Sequence, residues 1–552
     1  MSAAEVQQTI LGSVLETSGG RAICRLDLAT LAQNRNSTDP ARLSASSVGG
    51  IVKIAVADAL LVGTLTELKA DRENQKMLLA EVEFIGEGSA GPDGDLASFR
   101  RGVTVYPLPD DTLMLATRAD IEQIFSPRDV PHIDIGTVHP TTDVRAAVFL
   151  DNLLSRHFAV VGASGTGKST TVTLLLNRII AAAPQSHVVI LDPHGEYPRA
   201  FGPRAKVWDV DNLKIPYWLM SLEEHCEAFI ASTGESRAVD VNIMAKCLAK
   251  ARARNLYNDD GLKITADSPI AYRLGDLTGA LNEESGRLEK EAEAHHYTRL
   301  RLNIEQFFAD RRYHFIFNES HQGMSMPQFL GELLRIPVDG APVSIVDLAG
   351  VPSQIAKVVV SILSRLILDY AVWTRTEQRV PVLLVCEEAH RYLPHVHAQS
   401  GISAERQLDR IAREGRKYGV SLGLITQRPS ELSETALSQC GTIIAMRLNN
   451  VRDQAQVQAI LSEGSRNFVE IIPALQNREC IISGEGVPVP MRVRLDTLEA
   501  DLRPASDDPV YSSRWRSGDH GEAMLTETVR RWREQGAERS PAHQLTGVAS
   551  AR

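Results

Sequence analysis

The sequence predicts an α/β protein in which a small N-terminal β-barrel precedes a core of parallel strands and helices, and that core is interrupted by an inserted helical subdomain. Three observations predict this. Up to about residue 115 the chain is built of short β-rich runs separated by Gly, Ser, Asn and Asp clusters, the pattern of a small barrel. From about residue 130 apolar strands alternate with helical patterns, as in a sheet covered on both faces. Between the second and third of those strands lie about 150 residues dominated by helical periodicity. A chain of 552 residues is too long for one core, and 43% hydrophobic with 23% charged residues excludes disorder as its main theme.

Residues 1–115 contain the runs "ILGSVLE", "RAICRLDL", "GGIVKIAVADALLVGTLTEL", "KMLLAEVEFIG" and "GVTVYPL". The stretch "GEGSAGPDGD" (86–95) has the composition of a hairpin loop, and "DIEQIF" (120–125) reads as a short helix leading into a linker, "SPRDVP". The core, residues 130–500, carries the strands "HFAVV" (157–161), "HVVIL" (187–191), "VSIVD" (343–347), "PVLLV" (381–385), "SLGLI" (421–425) and "GTIIAM" (441–446). The insertion, 215–330, includes "SLEEHCEAFIAS", "DVNIMAKCLAKARAR" and "GRLEKEAEAHHYTRLRLNIEQFF". Residues 501–552 form a C-terminal segment with a short helix and a frayed tail. There is no internal repeat.

A formal charge of −10 argues against a surface coated with basic groups, so any nucleic-acid contact must be concentrated in a groove, pore or loop set. Cys24, Cys226, Cys247, Cys386, Cys440 and Cys480 are scattered without a CxxC and read as reduced core residues of a cytosolic protein. The N-terminus lacks a basic region followed by an apolar stretch, and "AKVVVSILSRLILDYAVW" carries Lys357, Arg365 and Asp369. The expectation is therefore a cytoplasmic protein with no signal peptide and no membrane span.

The segment "VVGASGTGKSTT" places Gly162, Ala163, Ser164, Gly165, Thr166, Gly167, Lys168, Ser169 and Thr170 directly after a strand and at the start of a helix with Val172, Leu175, Leu176, Ile179 and Ile180 on one face. That is the context a P-loop requires. Its glycines let backbone N–H groups surround the phosphates of ATP, Lys168 neutralises the β/γ charge, and the Ser169 hydroxyl is a ligand for Mg²⁺.

A P-loop ATPase also needs an acid near the metal, usually through water, and a base for the attacking water. In "VLLVCEEAHRYLP" (382–394) the usual Asp is replaced: Glu387 and Glu388 end a buried strand, where open α/β sheets place their ligands. A solvated pair is the plain alternative. Beside a P-loop the pair reads as Glu387 supporting Mg²⁺ and Glu388 acting as general base. "VVILDPHGEYP" sets Asp192, His194 and Glu196 after the second strand; "LITQRPSEL" sets Thr426, Gln427 and Arg428 after the fifth, with Gln427 a γ-phosphate sensor or a loop-fixing amide. Arg413 and Arg416 in "IAREGRKYGV" are three apart and share a helix face, either solvated or supplying an arginine finger to a neighbour's ATP. His390, His395 and His397 lack partners at zinc spacing and read as a metal-free loop, while His295 and His296 read as solvated.

Together "GASGTGKST", "LDPHGEY", "VDLAGVPS", "LLVCEEAHRYLP", "AREGRKYG" and "TQRPSELSETALSQCGTIIAMRL" resemble the HerA family of DNA-translocating ATPases over nearly the whole chain. The resemblance implies a RecA-like P-loop ATPase core, an N-terminal HAS-barrel and a homo-hexameric ring, or one of seven subunits, around double-stranded DNA. It makes Glu-Glu the expected acid pair. It implies that Arg156 and Arg413 complete the ATP site, the latter from the neighbouring subunit, with Arg416 as the alternative. It also implies a partner, a NurA-like nuclease or a defence effector, docked on the barrel face, and Lys417, Arg428 and Arg452 are candidates for the DNA path. The alternative reading is a hexameric ATP-binding scaffold that activates an effector with little translocation. A conjugation or secretion ATPase is disfavoured by the missing membrane anchor.

Overall fold

The computed structural model describes residues 9–35, 48–72, 74–126, 130–139, 141, 143–254, 263–287, 291–318, 323–395, 403–461, 466–505, 511–517 and 521–534. The barrel strands are β1 (Ile10–Ser18), β2 (Arg21–Asp27), β3 (Ile51–Val56), β4 (Ala59–Ala70), β5 (Met77–Ser89), β6 (Arg100–Arg101) and β7 (Thr112–Leu115). The core strands are β8 (His132–Val138), β9 (Arg145–Phe149), β10 (Phe158–Val161), β11 (Val188–Asp192), β12 (Ala205–Trp208) and β13 (Val343–Asp347). They continue with β14 (Val382–Cys386), β15 (Val420–Thr426), β16 (Thr442–Ala445), β17 (Glu479–Gly484) and β18 (Met491–Leu495). The chain divides into two compact units: residues 1–182, 425–430 and 437–498 form the first, and residues 183–424, 431–436 and 499–552 the second.

In the first unit the strands run in the order β2-β1-β7-β3-β4-β5, and antiparallel pairing of β2 with β5 closes them into a six-stranded barrel. Closure removes the free edges that an open sheet of this size would expose. Alternate residues such as Leu11, Val14, Leu26, Ile54, Leu65 and Val82 fill its core. At the bulge between Val62 and Gly63 a Cβ on Gly63 would stand 2.5 Å from Val82 Cγ1, so the bend in β4 requires glycine. Buried Lys53 on β3 donates to the Gly94 carbonyl at 2.9 Å and pairs with Asp120 at 2.7 Å. Asp120 belongs to the helix Arg118–Phe125, capped reciprocally with Thr117, so this ion pair ties that helix to the barrel. The unit also holds β10 parallel to β16, followed by β17, β18, β8 and β9, each antiparallel to its neighbour.

The second unit contains a parallel sheet in the order β12-β13-β11-β14-β15. Strands β11, β13, β14 and β15 are buried along their whole length, which is why they read as continuous apolar runs. The last two residues of β15 belong to the first unit. Helices Ser353–Trp373 and Ser403–Tyr418 pack against each other, and Leu222–Phe229, Gly234–Ala253, Leu274–Gly286 and Glu291–Ala309 form the helical bundle of the insertion. An aromatic cluster that includes Tyr217, Phe229, Phe307, Phe308 and Phe317 fills part of that bundle. Fully buried Glu224 anchors it to helix Ser353–Trp373: its carboxylate accepts from Arg365 Nε at 3.0 Å and Nη2 at 2.9 Å, from Ser361 at 3.0 Å and from the Ser221 amide at 2.8 Å.

Five core strands, β8, β9, β12, β17 and β18, are absent from the sequence pattern. In β8 and β18 buried positions alternate with more exposed ones, β12 is four residues long and half exposed, and β17, though buried, begins with a glutamate, so none reads as a long uncharged run. The solvated reading of His296 is corrected: it is buried, with Nδ1 2.6 Å from Asp240, whose other oxygen holds Arg299 at 2.6 Å. All six cysteines are buried thiols, none in a disulfide. Among the described residues no helix is long and apolar enough to cross a membrane. The C-terminal segment contains helices Tyr511–Ser517 and Glu522–Glu534; the tail beyond 534 and His397 lie outside the described residues.

Candidate active site

The phosphate-binding elements lie in the first unit. Buried β10 delivers the chain to Gly162, whose N–H donates to the Thr426 carbonyl at 3.3 Å, and the Ala163 N–H donates to the Arg447 carbonyl at 2.8 Å. A Cβ on Gly162 would stand 2.8 Å from Met446 Cβ, and Gly165 and Gly167 have φ of +75° and +99°, so each of the three positions needs glycine for its own reason. The loop is braced from within: Thr166 Oγ1 donates to the Ala163 carbonyl at 2.8 Å and Thr171 Oγ1 to the Gly167 carbonyl at 2.9 Å. Lys168 opens helix Lys168–Ala182 and curls back so that Nζ is 3.3 Å from the Ala163 carbonyl. Among the described residues the amides of Gly165, Gly167 and Ser169 donate to no protein acceptor. Open space around Gly165 and unsatisfied amides at a helix N-terminus fit a bound polyphosphate, with Ser164 exposed and Ser169 and Thr170 half-buried on the same turn.

Gln427 follows Thr426, so the backbone bond to Gly162 sets this half-buried amide beside the start of the loop, while Arg428 is exposed. Arg156 is elsewhere. It precedes β10 and therefore sits at the opposite end of that strand from the P-loop, about 13 Å away at 3.3 Å per residue. There its guanidinium pairs with Glu485.

The second unit holds the acidic centre. Glu387 and Glu388 follow β14 and are 3% and 6% exposed, so they are not a solvated pair. Tyr197 donates its phenolic hydrogen to Glu387 Oε2 at 2.5 Å, and the Glu387 amide donates to the Leu191 carbonyl at 3.2 Å. Burial pushes the Glu387 carboxyl up to about 8; the Tyr197 bond opposes that, and the charges of Glu388 and Asp192 add to it. Asp192 ends β11 and accepts the amides of His194 at 3.1 Å, Gly195 at 2.8 Å and Tyr197 at 3.0 Å; burial raises it to about 7. Asp347 ends β13, and a Cβ on Gly195 would stand 3.1 Å from its Oδ2.

Glu388 has φ 50° and ψ 46°, a left-handed conformation that a side chain of its type rarely adopts. Its Oε1 is 3.9 Å from His194 Nε2 and its Oε2 3.3 Å from His390 Nδ1, yet Oε2 accepts no hydrogen bond among the described residues. A buried carboxylate with an unfilled lone pair suits a group that receives a proton from water. Arg413 and Arg416 are exposed on helix Ser403–Tyr418, and among the described residues Arg413 pairs with Asp409 at 3.8 Å. Lys417 and Arg452 are also exposed. Among the described residues no three His, Cys, Asp or Glu side chains form a metal cluster.

Residues 133–367 match the family model of the HerA helicase central domain. The chain is 27% identical to the DNA double-strand break repair helicase HerA of Pyrococcus furiosus over 428 residues, 72% of this chain and 73% of that protein. The chain is thus similar to the HerA helicases over most of its length. The HerA helicase of Sulfolobus acidocaldarius is 26% identical over 74% of this chain and 77% of its own length. Among solved structures VirB4 of Thermoanaerobacter pseudethanolicus superposes with a TM-score of 0.50 at 14% identity, covering 68% of this chain and 99% of that one, a likeness of fold. The protein is thus a P-loop ATPase similar to the HerA helicases, with the α/β core and barrel that its sequence predicts. Sequence reasoning singled out Asp192, His194 and Glu196 but passed over Tyr197, although all four stand in "LDPHGEY".

Proposed function

We propose that this protein is an ATP-driven double-stranded DNA translocase that assembles as a ring of six or seven subunits and works with a nuclease or another effector. Its relatives' names, DNA double-strand break repair helicases, support the DNA substrate. The observation that carries hydrolysis is Glu388, buried, held in a left-handed turn at the end of β14 and left with an unfilled oxygen.

In this reading the P-loop amides and Lys168 hold the β- and γ-phosphates of ATP. Bound Mg²⁺ would neutralise charge developing on the phosphates; Ser169 would hold it directly and Glu387 through water. Glu388 orients the attacking water and takes its proton. Gln427 reports the γ-phosphate to the loop that follows β15. Arg413, or Arg416, stabilises the transferring phosphoryl group of the adjacent subunit's ATP. Arg156 belongs with them as a residue acting across the ring, since it stands at the far end of β10 from its own P-loop. Lys417, Arg428 and Arg452 bring positive charge to the DNA path of an otherwise acidic chain.

The test combines mass measurement of the assembled protein with ATPase assays, with and without duplex DNA. A ring whose ATPase is stimulated by duplex DNA, and lost in Lys168→Ala, is the expected result. A ring indifferent to DNA overturns the translocase reading, and retained turnover in Lys168→Ala overturns the P-loop assignment.

A further inference from the structure

We propose that Tyr197 is the positioning residue of the metal-supporting acid: it holds Glu387 Oε2 and leaves Oε1 as the oxygen that would support Mg²⁺ through water. This inference rests on the role given to Glu387 above.

The geometry is specific. The phenol of Tyr197 is fully buried and its hydroxyl donates to Glu387 Oε2 at 2.5 Å, the short end of O–H···O distances. One carboxylate oxygen is therefore committed to the protein, and bidentate coordination of a cation would require that bond to break. Tyr197 is in turn placed by a constructed loop. Three amides converge on the Asp192 carboxylate, from His194, Gly195 and Tyr197 itself, and Gly195 adopts φ +69° where an added Cβ would stand 3.1 Å from Asp347 Oδ2. Strand ends β11 and β13 thus set the ring that holds the acid at the end of β14. A phenylalanine would pack as well in a purely apolar site; the hydroxyl is needed because a buried carboxylate oxygen left without a donor is costly. The bond also answers the question of why Glu stands at position 387. Aspartate, one methylene shorter, would withdraw the carboxylate from the phenol.

Equilibrium binding of a fluorescent ATP analogue to the full-length protein, titrated with Mg²⁺, tests this without turnover. Tyr197→Phe is expected to raise the Mg²⁺ concentration giving half-maximal tightening about tenfold, the loss of one hydrogen bond to a charged group. Affinity in EDTA should stay within about twofold of wild type, because the P-loop is untouched, whereas a general packing defect would weaken both. Glu387→Asp, which keeps the charge but not the reach, should reproduce the shift and covers the case that Tyr197→Phe does not fold. Adding Tyr197→Phe to Glu387→Gln should produce no further shift. If Glu387→Gln leaves the Mg²⁺ midpoint at wild type, the role of Glu387 itself fails. If Glu387→Gln shifts it but Tyr197→Phe does not, or if Tyr197→Phe acts equally in the Glu387→Gln background, only the inference about Tyr197 is overturned.

Discussion

Replacing Glu224 by alanine should loosen the helical insertion from helix Ser353–Trp373. The Glu224 carboxylate is 0% exposed and accepts four hydrogen bonds, two from Arg365 and one each from Ser361 and the Ser221 amide. Without it, Arg365 keeps the Leu219 carbonyl at 2.6 Å and Asp369 at 3.5 Å, but its guanidinium, with only 16% of its side chain exposed, loses its principal counter-charge. Breaking one side of a buried ion pair costs about 3–5 kcal/mol, and the lost capping box of helix Leu222–Phe229 adds about 1 kcal/mol. Taking about 4 kcal/mol for the combined, non-additive effect, the amides of that helix should exchange about a thousandfold faster by hydrogen-exchange mass spectrometry. Replacing both partners, Glu224→Met with Arg365→Met, should recover most of the loss, since an apolar pair of similar volume carries no unpaired charge. Exchange within about fivefold of wild type in Glu224→Ala would refute the reasoning, because it would mean that the insertion is held by its aromatic contacts alone.

Four further outcomes follow from the site and the barrel. Glu388→Gln should bind ATP with near wild-type affinity and hydrolyse it at least about a hundredfold more slowly, as read by filter binding beside a phosphate-release assay. Arg413→Ala and Glu388→Gln, each inactive alone, should regain activity when mixed into one ring if Arg413 acts across the interface; recovery in the corresponding Arg416→Ala mixture instead would name Arg416. Gly195→Ala should lose about 1–2 kcal/mol in urea unfolding, since φ +69° is unfavourable for alanine and its Cβ would meet Asp347. Glu87 is held at about 2, below its ordinary 4.5, by the Thr104 hydroxyl and amide and by Arg100. Because that pKa is depressed in the folded state, its contribution is complete above pH 4.5 and disappears as pH falls through about 2, and Glu87→Gln should flatten the barrel's acid-unfolding curve over that window.

Legibility in the sequence followed the physical locality of each feature. Most barrel strands could be read because they are β-rich and end in turn residues, but the run "GVTVYPL" lies outside any strand, β7 (Thr112–Leu115) escapes the pattern, and the β2–β5 pair that closes the barrel joins segments separated by other strands. Strands β10, β11, β13, β14, β15 and β16 could be read because they are buried on both faces. β17 and β18 begin with or contain charged residues and could not. At the site, the P-loop is a contiguous pattern whose backbone does the work, so residue type and spacing carry it entirely. Tyr197 is the opposite case: its partner is 190 positions away, and an aromatic residue after "LDPHGE" looks like any core side chain until strand order brings β11 beside β14.

The left-handed turn at Glu388 bears on why two consecutive acids can serve two different roles. In an extended continuation of β14 the side chains of residues 387 and 388 would point to opposite faces. A residue at φ 50° and ψ 46° breaks that alternation at a cost of about 1–2 kcal/mol, and the short 3-10 turn Ala389–Arg391 then carries the chain away. The consequence is chemical separation of neighbours. Glu387 turns inward to Tyr197 and the strand ends, where burial favours its protonated form and the phenol counters it, while Glu388 lies between His194 and His390 with an oxygen still unfilled. Glycine at 388 would relieve the strain but remove the proposed base, and asparagine would keep the turn but replace that proposed proton acceptor by an amide. The strain is therefore retained at the one position where the side chain cannot be exchanged for a residue that the backbone would prefer.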